Sequence, residues 1–578
     1  MITFLFGLLL QSSWFFSKKK KQTNEKVLVS ILSGRVDTTD PTRVAKKYPA
    51  MIIGSVADTM LSYEYTNDKL KIQTKLLKAM PSVSKNGLVY TFELKPGIYF
   101  QDHPRLEGKK RELTSKEVVF SITQHMKKGA HYYELFSPIC GAEEFNQGNA
   151  DHVTGIKSLG KYTVQITLKN PYSNLLYILA MPTSCIMAPE SLGNGKASDF
   201  QLIGTGPYVI EKMDAMQVVL KKNPTYREER FPKVKSPKFN AMKASEGKLL
   251  PFIDKLVFKI IPEFTTQMTL VKTGQVDVMP VLTNDECANV LDGQKALRPE
   301  LKAKGMEVFP IPGLGLRFFP FNVSHPVFKK YPFLCKVIAM GFDAEYALKE
   351  IAHGYAKLTK GLVPPGIPGH EANLKNPYAY NLEEAKNLLQ KNGFKLKKNQ
   401  WYKGKEKLPT IVFTIAQGNA DYAKLADFLK NSLRKIHVNL EIKPMAWDEL
   451  MNKSKIPGNN IMMYTFGWAL DVPSASDTLQ FGYSKNIGSL NPFHYTDPVY
   501  DNWFEKTVTL DPNSKECIAL FKKMNRRLYN QPVGIFLWSN ESYSMFYAYV
   551  KNYRYSDLMY DTFKYMDIDL KEKAKGKR

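Results

Sequence analysis

The segment Gly467-Trp468-Ala469-Leu470-Asp471-Val472-Pro473 places a carboxylate three positions after a tryptophan, directly behind the apolar run Ile461-Met462-Met463-Tyr464. Four consecutive bulky residues read as a buried strand. The acid then falls at that strand's end, where open α/β folds place their ligand groups. Asp471 is therefore a candidate ligand anchor. A competing reading makes it the start of a turn before Pro473, since Asp and Pro both favour turns. Other reactive groupings do not emerge. Cys140, Cys185, Cys287, Cys335 and Cys517 are scattered singly, and the nine histidines show no H-x-x-x-H or H-E-x-x-H spacing. This argues against a disulfide framework, a structural zinc site and a metalloenzyme, and leaves buried free thiols as the expectation. No G-x-S-x-G and no grouping of Ser, His and Asp nominates a hydrolase.

An anchor of this kind must be held by a rigid frame, and strand and helix patterns alternate along the whole chain, which indicates an α/β architecture. Tyr90, Phe92 and Leu94 alternate with Thr91, Glu93 and Lys95, and Tyr162, Val164, Ile166 and Leu168 do the same, so both segments read as half-exposed strands. Leu256 to Ile261 is almost continuously apolar and reads as a mid-sheet strand buried on both faces. Helical spacing appears over Leu382 to Asn392 and over Ala420 to Ile436. The Pro- and Gly-rich stretch Phe309-Pro310-Ile311-Pro312-Gly313 reads as a hinge between lobes.

Length and charge narrow the class. At 578 residues the chain exceeds what one core supports, because single cores stop growing near about 250–300 residues. The formal net charge of +26 comes from 81 Lys plus Arg against 55 Asp plus Glu, but lysines are spread throughout, with dense runs only at Lys18 to Lys21 and in the tail from Lys571. No zinc-finger, helix-turn-helix or RNP signature accompanies them, so the charge reads as a solvated surface and no nucleic-acid partner is expected. Met1 to Leu10 and Trp14 to Phe16 form an apolar run of signal-peptide length, followed rather than preceded by lysines and without an A-x-A site or a lipobox cysteine. Residues 1–26 are expected to be a signal or anchor segment, and the chain is expected to work outside the cytoplasmic membrane.

Eight segments, in order, resemble the family 5 extracellular solute-binding proteins, the oligopeptide and dipeptide receptors of ABC importers. Leu88 to Phe100 is similar to the family's DG-x-TYTF-x-LR-x-G-x-x-F signature, and Glu112 to Ser121 to its PLTAEDVVFS helix start. Gly204-Thr205-Gly206-Pro207-Tyr208 matches the GTGPY turn, and Lys272 to Val278 the x-x-GEIDV segment. Phe321-Asn322 with Pro326-Val327-Phe328, Lys336 to Asp343, Tyr380 to Leu389 and the Gly467-Trp468 segment complete the series. Lys85-Asn86-Gly87 stands where the family has Asp-Gly, and Leu334-Cys335-Lys336 replaces its VR pair.

The resemblance implies a two-lobed, periplasmic-binding-protein-like α/β fold of type II with an inserted extra domain. Residues 27–67, 203–283 and 519–578 would form the main domain of lobe I, 68–202 its insert, 284–314 the connection and 315–518 lobe II. It also implies that Asp471 holds a peptide's α-ammonium group and that Trp468 and Trp447 are cleft tryptophans able to stack on ligand side chains. Positions that carry carboxylate-binding arginines in some oligopeptide receptors fall near Lys453 to Lys455 and at Thr465. Gly204 to Tyr208 is expected to be structural, its glycines serving a tight turn. A monomer without catalytic activity, cofactor or metal is expected, with a peptide ligand and ABC permease subunits as partners. A nickel complex, haem or sugar remains an alternative ligand.

Overall fold

The structure, a computed structural model, describes residues 24–44 and 46–575. Most of the expected signal or anchor segment, including Lys18 to Lys21, lies outside the described residues.

A seven-stranded sheet forms the first lobe, in the order Met306–Ile311, Ser542–Tyr547, Val278–Leu282, Val27–Leu32, Lys255–Ile260, Gln217–Lys222 and Tyr208–Met213. The central strand Val27–Leu32 runs parallel to both neighbours, as an α/β fold requires. Lys255–Ile260 is mid-sheet as expected, but it alternates buried with half-buried residues instead of burying both faces. Leu256, Phe258 and Ile260 face the core, while Lys255 and Lys259 keep the other face partly wet. The inserted segment carries its own antiparallel sheet, in which Val89–Glu93 pairs with Thr163–Thr167, the two alternating strands expected from sequence.

The second lobe contains three three-stranded sheets, one of them the small meander of Lys395–Lys397, Gln400–Lys403 and Glu406–Lys407. In another, Gly315–Pro320 is flanked by Phe466–Ala469 and Gly534–Phe536; in the third, Ile411–Ala416 lies between Leu440–Met445 and Met463–Tyr464. Helices Leu382–Lys391 and Ala420–Arg434 form where the apolar spacing places them, each capped by an asparagine side chain that accepts from the backbone of the first turn. The whole is the two-lobed α/β fold that the resemblance implies.

Two expected boundaries shift. Residues 284–314, expected as a connection, supply the edge strand Met306–Ile311 of the first-lobe sheet, because Ser542–Tyr547 returns from far along the chain to pair with it. Residues 519–541 stay with the second lobe, where Gly534–Phe536 pairs with Gly315–Pro320 and Trp538–Asn540 with Ala356–Leu358. The chain thus crosses between lobes at Pro312 to Leu314 and again at Glu541. The crossings touch: a Cβ on Gly313 would lie 1.7 Å from the Asn540 carbonyl oxygen, and Ser539 Oγ donates to Gly313 O at 2.7 Å. Gly204 and Gly206 also owe their identity to close approach rather than to a turn. A Cβ on either would come within 2.4–2.5 Å of the Val56 backbone, to whose carbonyl the Gly206 N–H donates at 2.9 Å.

A buried ionic cluster ties residues near 58, 75, 227 and 561 together across the first lobe. Lys75 bridges Asp58 at 2.9 Å and Asp561 at 2.8 Å, Arg227 pairs with Asp58, and Lys564 reaches Glu229 at 2.7 Å. Burial pushes the Asp58 carboxyl upward, but Arg227, Lys75 and Lys564 together hold it well below the usual range, so Asp58 stays charged.

Candidate ligand-binding site

Between the lobes lies a cavity of about 470 Å³, within the ~300–1,000 Å³ range typical of small-ligand sites. Its walls come from the start of helix Lys47–Val56, from Tyr132 and Met181 to Thr183 of the insert, from the Gly313 crossing, and from residues 467–471. The apolar run 461–464 is not one strand ending at the acid. It contributes the two-residue strand Met463–Tyr464, after which the chain changes sheets at Thr465 and pairs Phe466–Ala469 antiparallel to Gly315–Pro320. Asp471 follows two residues beyond that second strand, at the cavity wall.

Alternation along this strand pair sorts its side chains. Phe466 and Trp468 point with Leu316 and Phe318 into an aromatic core that includes Phe481 and Phe493. Trp468 reaches the cavity wall while its indole Nε1 donates to Asp477 Oδ2 at 3.2 Å. The same Asp477 oxygen accepts from the backbone N–H of Asp471 at 3.0 Å. Asp477 thus ties the tryptophan and the Asp471 backbone into one unit: it sits behind Asp471 and is itself buried.

Among the described residues no Lys or Arg pairs with either carboxylate. Burial raises Asp471 to about 6. Burial and the neighbouring Asp471 charge raise Asp477 to about 8, against the indole and backbone donors that favour its charged form. Tyr132 on the facing wall is pushed up to about 12 by burial and by Asp471, and Tyr172 and Tyr560 are raised in the same way, with Asp471 among the causes. A carboxylate in an enclosed, tyrosine-faced site with no cation of its own can accept a ligand cation, through charge-assisted hydrogen bonds of about 1.5–3 kcal/mol each.

Asp471 and Trp468 are therefore brought together at the cavity. Trp447 is not. It opens helix Trp447–Lys455 and is 42% exposed, while Leu450 and Ser454 form the buried side of that helix. Asp477 was not legible in the sequence, where it is one polar residue in the stretch Pro473-Ser474-Ala475-Ser476-Asp477. Only the bend that returns it beneath Trp468 distinguishes it. All five cysteines are free thiols, four of them buried.

Comparison with known proteins finds relatives that share this fold. A di/tripeptide-binding protein of Pseudomonas aeruginosa is 24% identical over 78% of each chain. A glutathione-binding protein of Salmonella paratyphi A is 24% identical over 85% of each. The periplasmic binding protein DppA of Helicobacter pylori, solved in complex with the peptide STSA, superposes with a TM-score of 0.69 at 23% identity, covering 94% of this chain and 98% of that one, and shows a shared fold. Residues 71–489 match the family described as bacterial extracellular solute-binding proteins, family 5 middle. With that match spanning most of its length, the chain belongs to the family 5 bacterial extracellular solute-binding proteins.

Proposed function

We propose that this protein captures short peptides with free N-termini in the interlobe cavity and delivers them, outside the cytoplasmic membrane, to the permease of an ABC importer. The observation that carries the reading is Asp471, a carboxylate at the cavity wall that burial raises and that no Lys or Arg among the described residues neutralises. An α-ammonium is the complementary charge, and strand Phe466–Ala469 offers backbone groups beside it for pairing with an extended peptide whatever its side chains. Family membership and relatives named for di- and tripeptides support the same ligand class. Binding without catalysis fits this family. Among the described residues no helix is long and apolar enough to cross a membrane.

The test is calorimetric titration of the protein with short peptides and their N-acetylated forms. Acetylation removes the ammonium, and the expected loss is at least about 100-fold in affinity, since a desolvated carboxylate would be left unpaired. Equal affinity for the two forms would contradict the proposal.

A further inference from the structure

Lysines that are spread along the sequence do not stay evenly spread once the second lobe folds. The meander of Lys395–Lys397, Gln400–Lys403 and Glu406–Lys407 gathers them. Residues 391–407 hold seven lysines against one acid, Glu406. Trp401 fixes the inner face: it is 1% exposed, and its indole Nε1 donates to Ile436 O at 2.8 Å. Antiparallel register then decides what the outer face presents, because directly opposed residues share a side. Lys395, Tyr402 and Lys407 stand opposite one another across the three strands, with Lys397 opposite Gln400 beside them, all on the side away from Trp401. Glu406 belongs to the other side, where Lys330 holds it at 2.5 Å. Among the described residues no carboxylate pairs with Lys395, Lys397, Lys398, Lys403, Lys405 or Lys407. The turn joining the first two strands places Lys398 at φ 44° and Asn399 at φ 62°. Both positions favour Asn or Gly, so a lysine there gives up local backbone preference and adds a charge.

From this geometry we propose that the meander docks the second lobe on the surface of an anionic lipid bilayer. The lysines stand side by side on an open sheet face instead of converging around a pocket. Lys395 and Lys397 are about 7 Å apart along their strand, and Lys395 and Lys407 about 10 Å apart across the meander. Such a grid meets several headgroups lying in a plane, and attraction between ammonium groups and lipid phosphates drives the contact. Tyr402, half-buried between Lys395 and Lys407, supplies an amphipathic ring of the kind that favours the boundary between water and lipid. The docking face is separate from the interlobe cavity, so it holds or fails independently of the peptide reading. A receptor held in this way searches for a permease in two dimensions instead of three.

The experiment measures partition of the full chain onto phosphatidylcholine vesicles with and without phosphatidylglycerol, at about 0.05 M and about 0.5 M salt. The readout is the ratio of the two partition constants, which removes any contribution that ignores lipid charge. Wild type is compared with Lys395→Gln/Lys397→Gln/Lys407→Gln and with Lys110→Gln/Lys116→Gln/Lys157→Gln, a variant of the same net charge altered at exposed lysines of the insert. A lysine at an anionic surface contributes about fivefold, so the meander variant should lose about 100-fold of the wild-type ratio at low salt. The insert variant should keep most of that ratio, and high salt should abolish the preference. Lys395→Arg/Lys397→Arg/Lys407→Arg, which keeps the charge, should behave as wild type. The inference is overturned if wild type shows no preference for phosphatidylglycerol, if the meander variant keeps the wild-type ratio, or if the two glutamine variants lose equally, as diffuse attraction would give. A wild type that binds inorganic polyphosphate through these lysines yet ignores phosphatidylglycerol also overturns it, in favour of a soluble polyanion.

Discussion

Two acids six positions apart carry the site, and only the first is readable from its neighbours. Asp471 stands out because a tryptophan and an apolar run precede it, whereas Asp477 matters only because it accepts from the indole of Trp468 and the backbone N–H of Asp471. Their raised values set the pH response. Asp471, raised to about 6, is charged at neutral pH and protonated in acid, so peptide affinity should fall by up to about tenfold for each pH unit below about 6. Stability runs the other way. An acid raised in the folded state stabilises the ligand-free protein fully below its unfolded value, and that contribution is lost as pH rises through about 6 for Asp471 and about 8 for Asp477. Asp477→Asn removes a buried charge that the wild type must carry in alkali. Scanning calorimetry of the ligand-free proteins should show the variant gaining in melting temperature relative to wild type between pH 5.5 and 8.5. A variant that loses ground over that interval would contradict the assignment.

At the scale of elements, segments with a clear period were legible. Val89–Glu93, Thr163–Thr167 and the helices Leu382–Lys391 and Ala420–Arg434 depend on local alternation or helical spacing, which the chain states directly. Met306–Ile311 was not, because its Pro-containing sequence reads as a loop and its pairing partner lies more than 230 residues downstream. The same holds for Phe466–Ala469, whose partner strand decides that the chain leaves one sheet for another at Thr465. Where the two crossings touch, Gly313 has no room for a side chain. Gly313→Ala would force backbone apart from backbone at Asn540, and a loss of about 1–3 kcal/mol is expected in urea unfolding. An unchanged unfolding midpoint would mean that the crossings are not packed as described.

For the molecule as a whole, the eight ordered resemblances made the two-lobed fold foreseeable, but not where the chain changes lobe, since that depends on strand pairing across the full length. Two crossings side by side, at Pro312 to Leu314 and at Glu541, link the seven-stranded sheet to the second lobe among the described residues, and a pair of adjacent crossings is the arrangement on which hinge closure turns. Across the mouth, Ser476 Oγ donates to Asn174 Oδ1 at 3.1 Å and Asn513 Nδ2 to Tyr177 Oη at 2.8 Å, few enough bonds for a ligand's contacts with both walls to govern closure. Small-angle scattering should therefore show a smaller radius of gyration on saturation with a binding peptide; an identical radius with and without ligand would count against closure. The most direct test of the central claim is a thermodynamic cycle. Wild type and Asp471→Ala are each titrated calorimetrically with trialanine and with N-acetyl-trialanine. Both single changes should weaken binding, and the coupling energy between Asp471 and the ammonium should reach about 3 kcal/mol or more, because each leaves the other buried without its partner. A coupling energy of zero would show that Asp471 and the peptide N-terminus do not meet.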